Sequence, residues 1–256
     1  MNSSPIEYLR CPVCGGKLAV EPGALQCAPC QSAYPVADEI PALLAQNRST
    51  PNESDAALDA ETGRYPMLMI AFGLLARVWL PAERKRLIGR IGIRPGDMVL
   101  DHCAGPGGNF PAIFSLIGPS GKLVAMDLSR TMVREAQRFA RAKHIAADIQ
   151  QADALQLPYA DNCFDAVVHY GAINQFDDKR KAIDEMLRVT KSGGVIAILD
   201  EGIEPGKENT WLAKLLVWKN QLFASRPPLD LIPPATNPRI EWVLRSIFWQ
   251  IIFRKP

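Results

Sequence analysis

From position 97 to position 199 the apolar residues of this chain fall in short runs separated by turn-forming or amphipathic stretches. The runs at 98–101, 121–127, 149–153, 166–170 and 195–199 are too short for helices and read as strands. Between them, residues 129–143 (SRTMVREAQRFARAK) read as a helix with Ser129 as its N-cap. Residues 179–189 (KRKAIDEMLRV) read as another, with Ala182, Ile183, Met186, Leu187 and Val189 on one stripe, stopped by Lys191-Ser192-Gly193-Gly194. Strands alternating with helices predict an α/β domain around a parallel sheet, with a ligand lying across the carboxyl ends of the strands. Residues 248–253 read as a buried last strand.

The flanks have other patterns. Residues 1–46 hold little apolar sequence, and residues 47–63 are polar with no apolar period, so the first are expected to form a small domain and the second a linker. The rest, 64–256, would be the main domain. Within it, 64–92 (an apolar run followed by the basic stretch AERKRLIGRIG) and 205–237 (containing WLAKLLVWKNQL and SRPPLDLIPP) are unusually apolar for segments outside the strand-helix core. The run at 66–80 includes Arg77 and is too short to span a membrane. Trp211, Trp218, Lys214 and Lys219 mix apolar and basic character on one short helix, which leaves shallow docking on a membrane surface open.

Composition narrows the class. With 48% hydrophobic and 22% charged residues, the 256-residue chain is that of a folded globular protein. A formal net charge of +2 argues against a strongly electrostatic nucleic-acid binder. The N-terminal residues lack a secretory pattern, so a cytosolic, reducing location is expected. The six cysteines are therefore expected to be ligands or buried thiols. Cys11, Cys14, Cys27 and Cys30 form two CxxC knuckles separated by twelve residues, which supply the four soft ligands of a tetrahedral zinc. Four protein ligands leave no open position, so this Zn2+ would be structural. The segment LRCPVCGGKL…LQCAPCQSAYPVADEIPALL resembles the zinc ribbons of the Trm112-like group, which serve as methyltransferase partners or modules.

The first core strand ends in Asp101 and runs into His102-Cys103-Ala104-Gly105-Pro106-Gly107-Gly108, a glycine loop that lets backbone approach a ligand closely. Asp127 and Asp153 end the next two strands, and an acid about twenty residues past the loop is placed for ribose hydroxyls. In order, VLDHCAGPGG, GKLVAMDLSRTMV, ADALQLPYADNCFDAVV and AIDEMLRVTKSGGVIAILDE resemble class I S-adenosylmethionine-dependent methyltransferases of the ubiquinone/menaquinone C-methyltransferase-like group. That resemblance covers about 97–201 and implies a Rossmann-like sheet of seven strands, six parallel and the last one antiparallel. It also implies S-adenosyl-L-methionine as cofactor, with Asp101, Cys103, Ala104, Gly105 and Gly107 at its methionine end. Asp127 would bind the ribose, Leu128 and Met132 would pack on adenine, and Asp153, Ala154 and Leu155 would hold the adenine edge. Cys103 departs from the group's usual glycine.

A sulfonium methyl is already activated, so positioning of the acceptor carries most of the acceleration. His169, Tyr170 and Asn174, at and after the end of the fourth strand, are the catalytic candidates, against the alternative that His169 and Tyr170 only pack. Two apolar cover segments imply a hydrophobic small-molecule acceptor of quinone, lipid or polyketide type. The alternatives are an rRNA or tRNA methyltransferase using the ribbon for RNA contact, with Arg84, Lys85, Arg86, Arg90 and Arg94 along phosphates, and a non-catalytic module that recruits a partner.

Overall fold

The structure is a computed structural model that describes residues 6–45 and 79–256. The expected linker and the part of the first cover segment before residue 79 lie outside the described residues.

Among the described residues eleven strands and five α-helices follow one another. The first four strands are β1 (Leu18–Glu21), β2 (Ala24–Cys27), β3 (Ala33–Ala37) and β4 (Ile40–Leu43). Then come α1 (Leu80–Gly89), β5 (Met98–His102), α2 (Phe110–Ile117), β6 (Lys122–Asp127), α3 (Arg130–Ala142), β7 (Asp148–Ala152) and β8 (Phe164–Tyr170). The chain ends with α4 (Lys179–Val189), β9 (Thr190–Glu201), α5 (Trp211–Lys219), β10 (Arg239–Val243) and β11 (Phe248–Arg254). The Ser129 hydroxyl accepts from the Met132 amide and caps α3, and Asp178 caps α4 through Lys181 N–H.

All eleven strands join in one sheet, ordered β1-β2-β3-β4-β7-β6-β5-β8-β9-β11-β10. The seven-strand expectation is therefore corrected: the sheet has eleven strands. The contiguous β7-to-β10 stretch is the six-parallel, one-antiparallel arrangement, with β11 inserted antiparallel between β9 and β10. The extra four come from the cysteine-rich segment. An uncovered β7 would present unpaired amides and carbonyls at an edge; instead β4 pairs parallel to it, Ala42 opposite Gln151 and Leu43 opposite Ala152. Lys191–Gly194 is drawn into β9 as a bulge, since Thr190 pairs with Phe164 but Val195 with Ala166.

The core lies on both faces of the sheet. Leu100, Val124, Val167, Ile198 and Trp249 meet Ala182, Ile183 and Met186 of α4 on one face. Val99, Leu123, Ala125, Val168 and Ala197 meet Ile88, Phe110, Ile113, Val133 and Ala136 of α1, α2 and α3 on the other. The spacing of Phe110, Ile113 and Ile117, and of Val133, Ala136 and Ala140, places each set on one side of its helix. These helices thereby hold their N-termini over the carboxyl ends of the strands.

Candidate active site

β5 carries Asp101 to the carboxyl end of the sheet, where the glycine loop begins. Its side chain is fully buried; Oδ1 accepts from Asn109 Nδ2 at 3.0 Å, while Oδ2 and Asn109 Oδ1 make no hydrogen bond. Burial pushes the Asp101 carboxyl up to about 7, opposed by the Asn109 hydrogen bond and the charge of Arg84. Unsatisfied buried polar atoms are costly and mark places built for a ligand's polar groups.

The loop that follows turns through positive φ at Cys103 (58°), Gly105 (53°) and Gly107 (84°). A side chain at Gly107 would also strike the Phe110 ring, 2.8 Å from its β-carbon. Cys103 thus holds a conformation that costs an L-residue on the order of 1–2 kcal/mol, which explains why glycine is the usual occupant. Burial and the surrounding acids, Asp127 first, push its thiol well up, so it is a packed thiol and not a nucleophile.

Asp127 ties the loop to the next strand tip: Gly105 N–H donates to Oδ2 at 2.9 Å and Ser129 N–H to Oδ1 at 3.0 Å. Asp153 accepts from Leu155 N–H at 2.9 Å. Leu128, Met132 and Leu155 are half-buried beside them, and Ala104 and Ala154 are buried. The eleven residues expected around the cofactor are therefore brought to the carboxyl tips of three adjacent strands, β5, β6 and β7.

The three catalytic candidates diverge. Asp101 pairs with Val168, so Tyr170 shares its face of the sheet and His169 takes the other. Tyr170 Oη accepts from Gln250 Nε2 at 2.5 Å, and burial pushes its hydroxyl up. His169 is fully buried with Nδ1 2.6 Å from His102 Nδ1, and His102 Nε2 lies 3.4 Å from the Ala154 carbonyl. Burial lowers His102 to about 4 and His169 well below its ordinary value, so both stay neutral. Asn174 sits in the 3-10 turn Ile173–Gln175, donating from Nδ2 to the Glu201 carbonyl at 2.9 Å, with Oδ1 buried and unpartnered.

Sequence reasoning missed Asp200 and Glu201. Asp200 accepts from the amides of Ala172, Asn174 and Glu201 and fixes the loop after β8. Burial, with Asp200 adding, pushes the Glu201 carboxyl well above the usual carboxylate range. The available signal was the acid-ended strand AILDE, the same pattern already read at Asp101, Asp127 and Asp153. Beyond this tip a cavity of about 930 Å³ opens between α5 and β10, lined by Ile203, Val217, Trp218, Phe223, Ile240 and Trp242, with Lys214 and Arg226 also on its wall.

In the N-terminal segment the four cysteine sulfurs lie within 4.8 Å of one another, Cys11 and Cys30 at 3.5 Å and Cys14 and Cys27 at 3.4 Å, and none forms a disulfide. Tetrahedral zinc with bonds of about 2.3 Å sets its sulfurs about 3.8 Å apart, so the four thiols fit that ion. The Ser32 hydroxyl, 3.2 Å away, and the Ser32 backbone hold the Cys30 thiol down to about 6.

Residues 100–198 match the family model described as Methyltransferase domain, and residues 6–39 match that described as Trm112p-like protein. The chain is thus similar to a methyltransferase domain behind a Trm112-like module. A ubiquinone/menaquinone biosynthesis C-methyltransferase of Pasteurella multocida is 36% identical over 143 residues, 54% of this chain and 51% of the relative. The chain spans about half the length of the first curated relatives it matches. Among solved structures, a SAM dependent methyltransferase from Aquifex aeolicus shares 18% identity at a TM-score of 0.52, covering 68% of this chain and 89% of that one. A chain from the complex between the Haloferax volcanii Trm112 methyltransferase activator and a methyltransferase shares 16% at 0.57, covering 77% and 97%. At these identities the structures speak for the fold of the methyltransferase domain alone. Among the described residues no helix is long and apolar enough to cross a membrane.

Proposed function

We propose that the methyltransferase domain transfers a methyl group from S-adenosylmethionine to a hydrophobic, quinone-like small molecule. The observation that carries this reading is the set of three adjacent strand tips bearing Asp101, Asp127 and Asp153 around a glycine loop, with Asp101 Oδ2 and Asn109 Oδ1 buried and unpartnered. Bound there, the cofactor supplies an electrophilic methyl group on a sulfonium.

In this reading Asp101 and the Cys103–Gly107 loop hold the methionine end, Asp127 the ribose, and Leu128, Met132, Asp153, Ala154 and Leu155 the adenine. The acceptor lies over the tips of β8 and β9. Tyr170 and Asn174 border it there, and His169, held neutral against His102, stiffens the wall behind. With its carboxyl pushed up by burial beside Asp200, Glu201 can donate a hydrogen bond to an acceptor oxygen, which orients the ring for in-line attack. The apolar cavity beside β10 receives the rest of the acceptor. Trp211 and Trp218 are about three-quarters exposed (73% and 75%) on one helix with Lys214 and Lys219, which favours collecting such a molecule from a lipid surface. A structural zinc on Cys11, Cys14, Cys27 and Cys30 completes the inventory.

Incubation with methyl-labelled S-adenosylmethionine and a panel of reduced quinones is expected to move label into the organic phase. Label that stays with the cofactor, or enters RNA supplied in parallel, would overturn the acceptor class.

A further inference from the structure

Arg84, on the second turn of α1, is aimed at the glycine loop. A β-carbon added at Gly108 would sit 1.6 Å from Arg84 Nη1 and 2.8 Å from its Cζ, so the guanidinium lies directly on the bare Cα of Gly108. The helix is anchored for this: Ile88 packs with Phe110 and Ile113 of α2, and Leu87 with Leu199 of β9. Two of its basic neighbours are spoken for, Arg86 by Glu83 and Arg90 by Glu241. Among the described residues no carboxylate forms an ion pair with Arg84. Across the loop the buried Asp101 presents the unpartnered Oδ2. A guanidinium with no carboxylate partner among the described residues and the unpartnered Oδ2 of Asp101, set about one glycine loop, complement the two charges of an α-amino acid.

We propose that Arg84 binds the α-carboxylate of the cofactor's methionine end while Asp101 takes its ammonium; this rests on the methyltransferase reading above. Gly108 is then required because any side chain there would displace the guanidinium.

The test is calorimetry on the full zinc-loaded chain with two probes, S-adenosylhomocysteine and 5′-methylthioadenosine, which shares the adenosine and thioether but lacks the amino acid. Arg84→Met is expected to weaken S-adenosylhomocysteine about 10- to 100-fold, the range of one charge-assisted pair, and to leave methylthioadenosine unchanged. Gly108→Ala should reproduce the split with Arg84 present, since the atom it meets is the far end of a flexible side chain. Wild-type protein that binds both probes, with an Arg84→Met variant that weakens neither or both alike, overturns the proposal alone. Wild-type protein that binds neither overturns the methyltransferase reading, and the proposal with it.

Discussion

Asp101 pairs deep burial with a carboxyl that titrates near neutrality, at about 7. In the ligand-free fold the charged form is disfavoured, so the folded chain binds this proton more tightly than the unfolded one. The group's contribution to stability is present at low pH and is lost as pH rises from the ordinary carboxyl range through about 7. A ligand ammonium reverses the preference by rewarding ionisation. The affinity for S-adenosylhomocysteine is therefore expected to rise between about pH 6 and about pH 8, and Asp101→Asn to be weaker and flat across that window. Titration calorimetry at several pH values decides it, and a variant that keeps the wild-type slope would contradict the assignment. Asp101, Asp127 and Asp153 were legible in the sequence because each ends a short run read as a strand. Asn109, Gln250 and the place of Arg84 at the glycine loop were not, because their meaning depends on which strand or helix the fold lays beside them. His169 shows the limit in another form: alternation along β8 sends it to the face opposite Asp101, a fact set by register and invisible in the run AVVHY.

At the scale of elements, local chemistry decided most boundaries. The helix at 179–189 coincides with α4, and Ser129 caps α3, because caps and apolar stripes act within one or two turns. Asp178 offers a clean measure, being a cap outside the strand-tip crevice whose Oδ1 accepts from Lys181 N–H at 2.8 Å. Asp178→Ala is expected to cost about 1 kcal/mol in urea unfolding, with S-adenosylhomocysteine affinity unchanged. β10 escaped notice because Arg239–Val243 alternates polar and apolar residues over only five positions and has its partner, β11, beyond a turn. The bulge in β9 escaped for a related reason. A Lys-Ser-Gly-Gly stretch stops a helix equally well whether the chain then leaves the sheet or is drawn into it.

The whole molecule differs from the expectation of a ribbon tethered beside a seven-stranded domain, since the ribbon finishes the domain's exposed edge. Beyond the β4–β7 pairing, Arg10 N–H donates to the Pro158 carbonyl and Ala160 N–H to the Tyr8 carbonyl, both at 2.8 Å. Tyr8 Oη donates to Asp148 at 2.9 Å, and Gln156 Nε2 donates to the Pro12 carbonyl. Pro12 follows Cys11, one of the four thiols proposed to hold zinc, and Gln156 bridges to Asp153 at the tip proposed to hold adenine. The Pro12 carbonyl and the Gln156 amide thus add a direct link from the four thiols to that strand tip. A metal that supplies folding energy to a small ribbon should also steady that tip. Removing it with a chelator is expected to lower the melting temperature by several degrees, roughly the effect of 1–2 kcal/mol on a domain of this size, and to weaken both adenosine probes. Gln156→Ala should keep its metal and most of its thermal stability yet weaken the same probes two- to tenfold, on the order of one hydrogen bond. Zinc quantification alongside calorimetry separates the outcomes: a chelated, metal-free chain that still binds methylthioadenosine at full strength would mean that the ribbon covers the sheet edge without steadying the crevice.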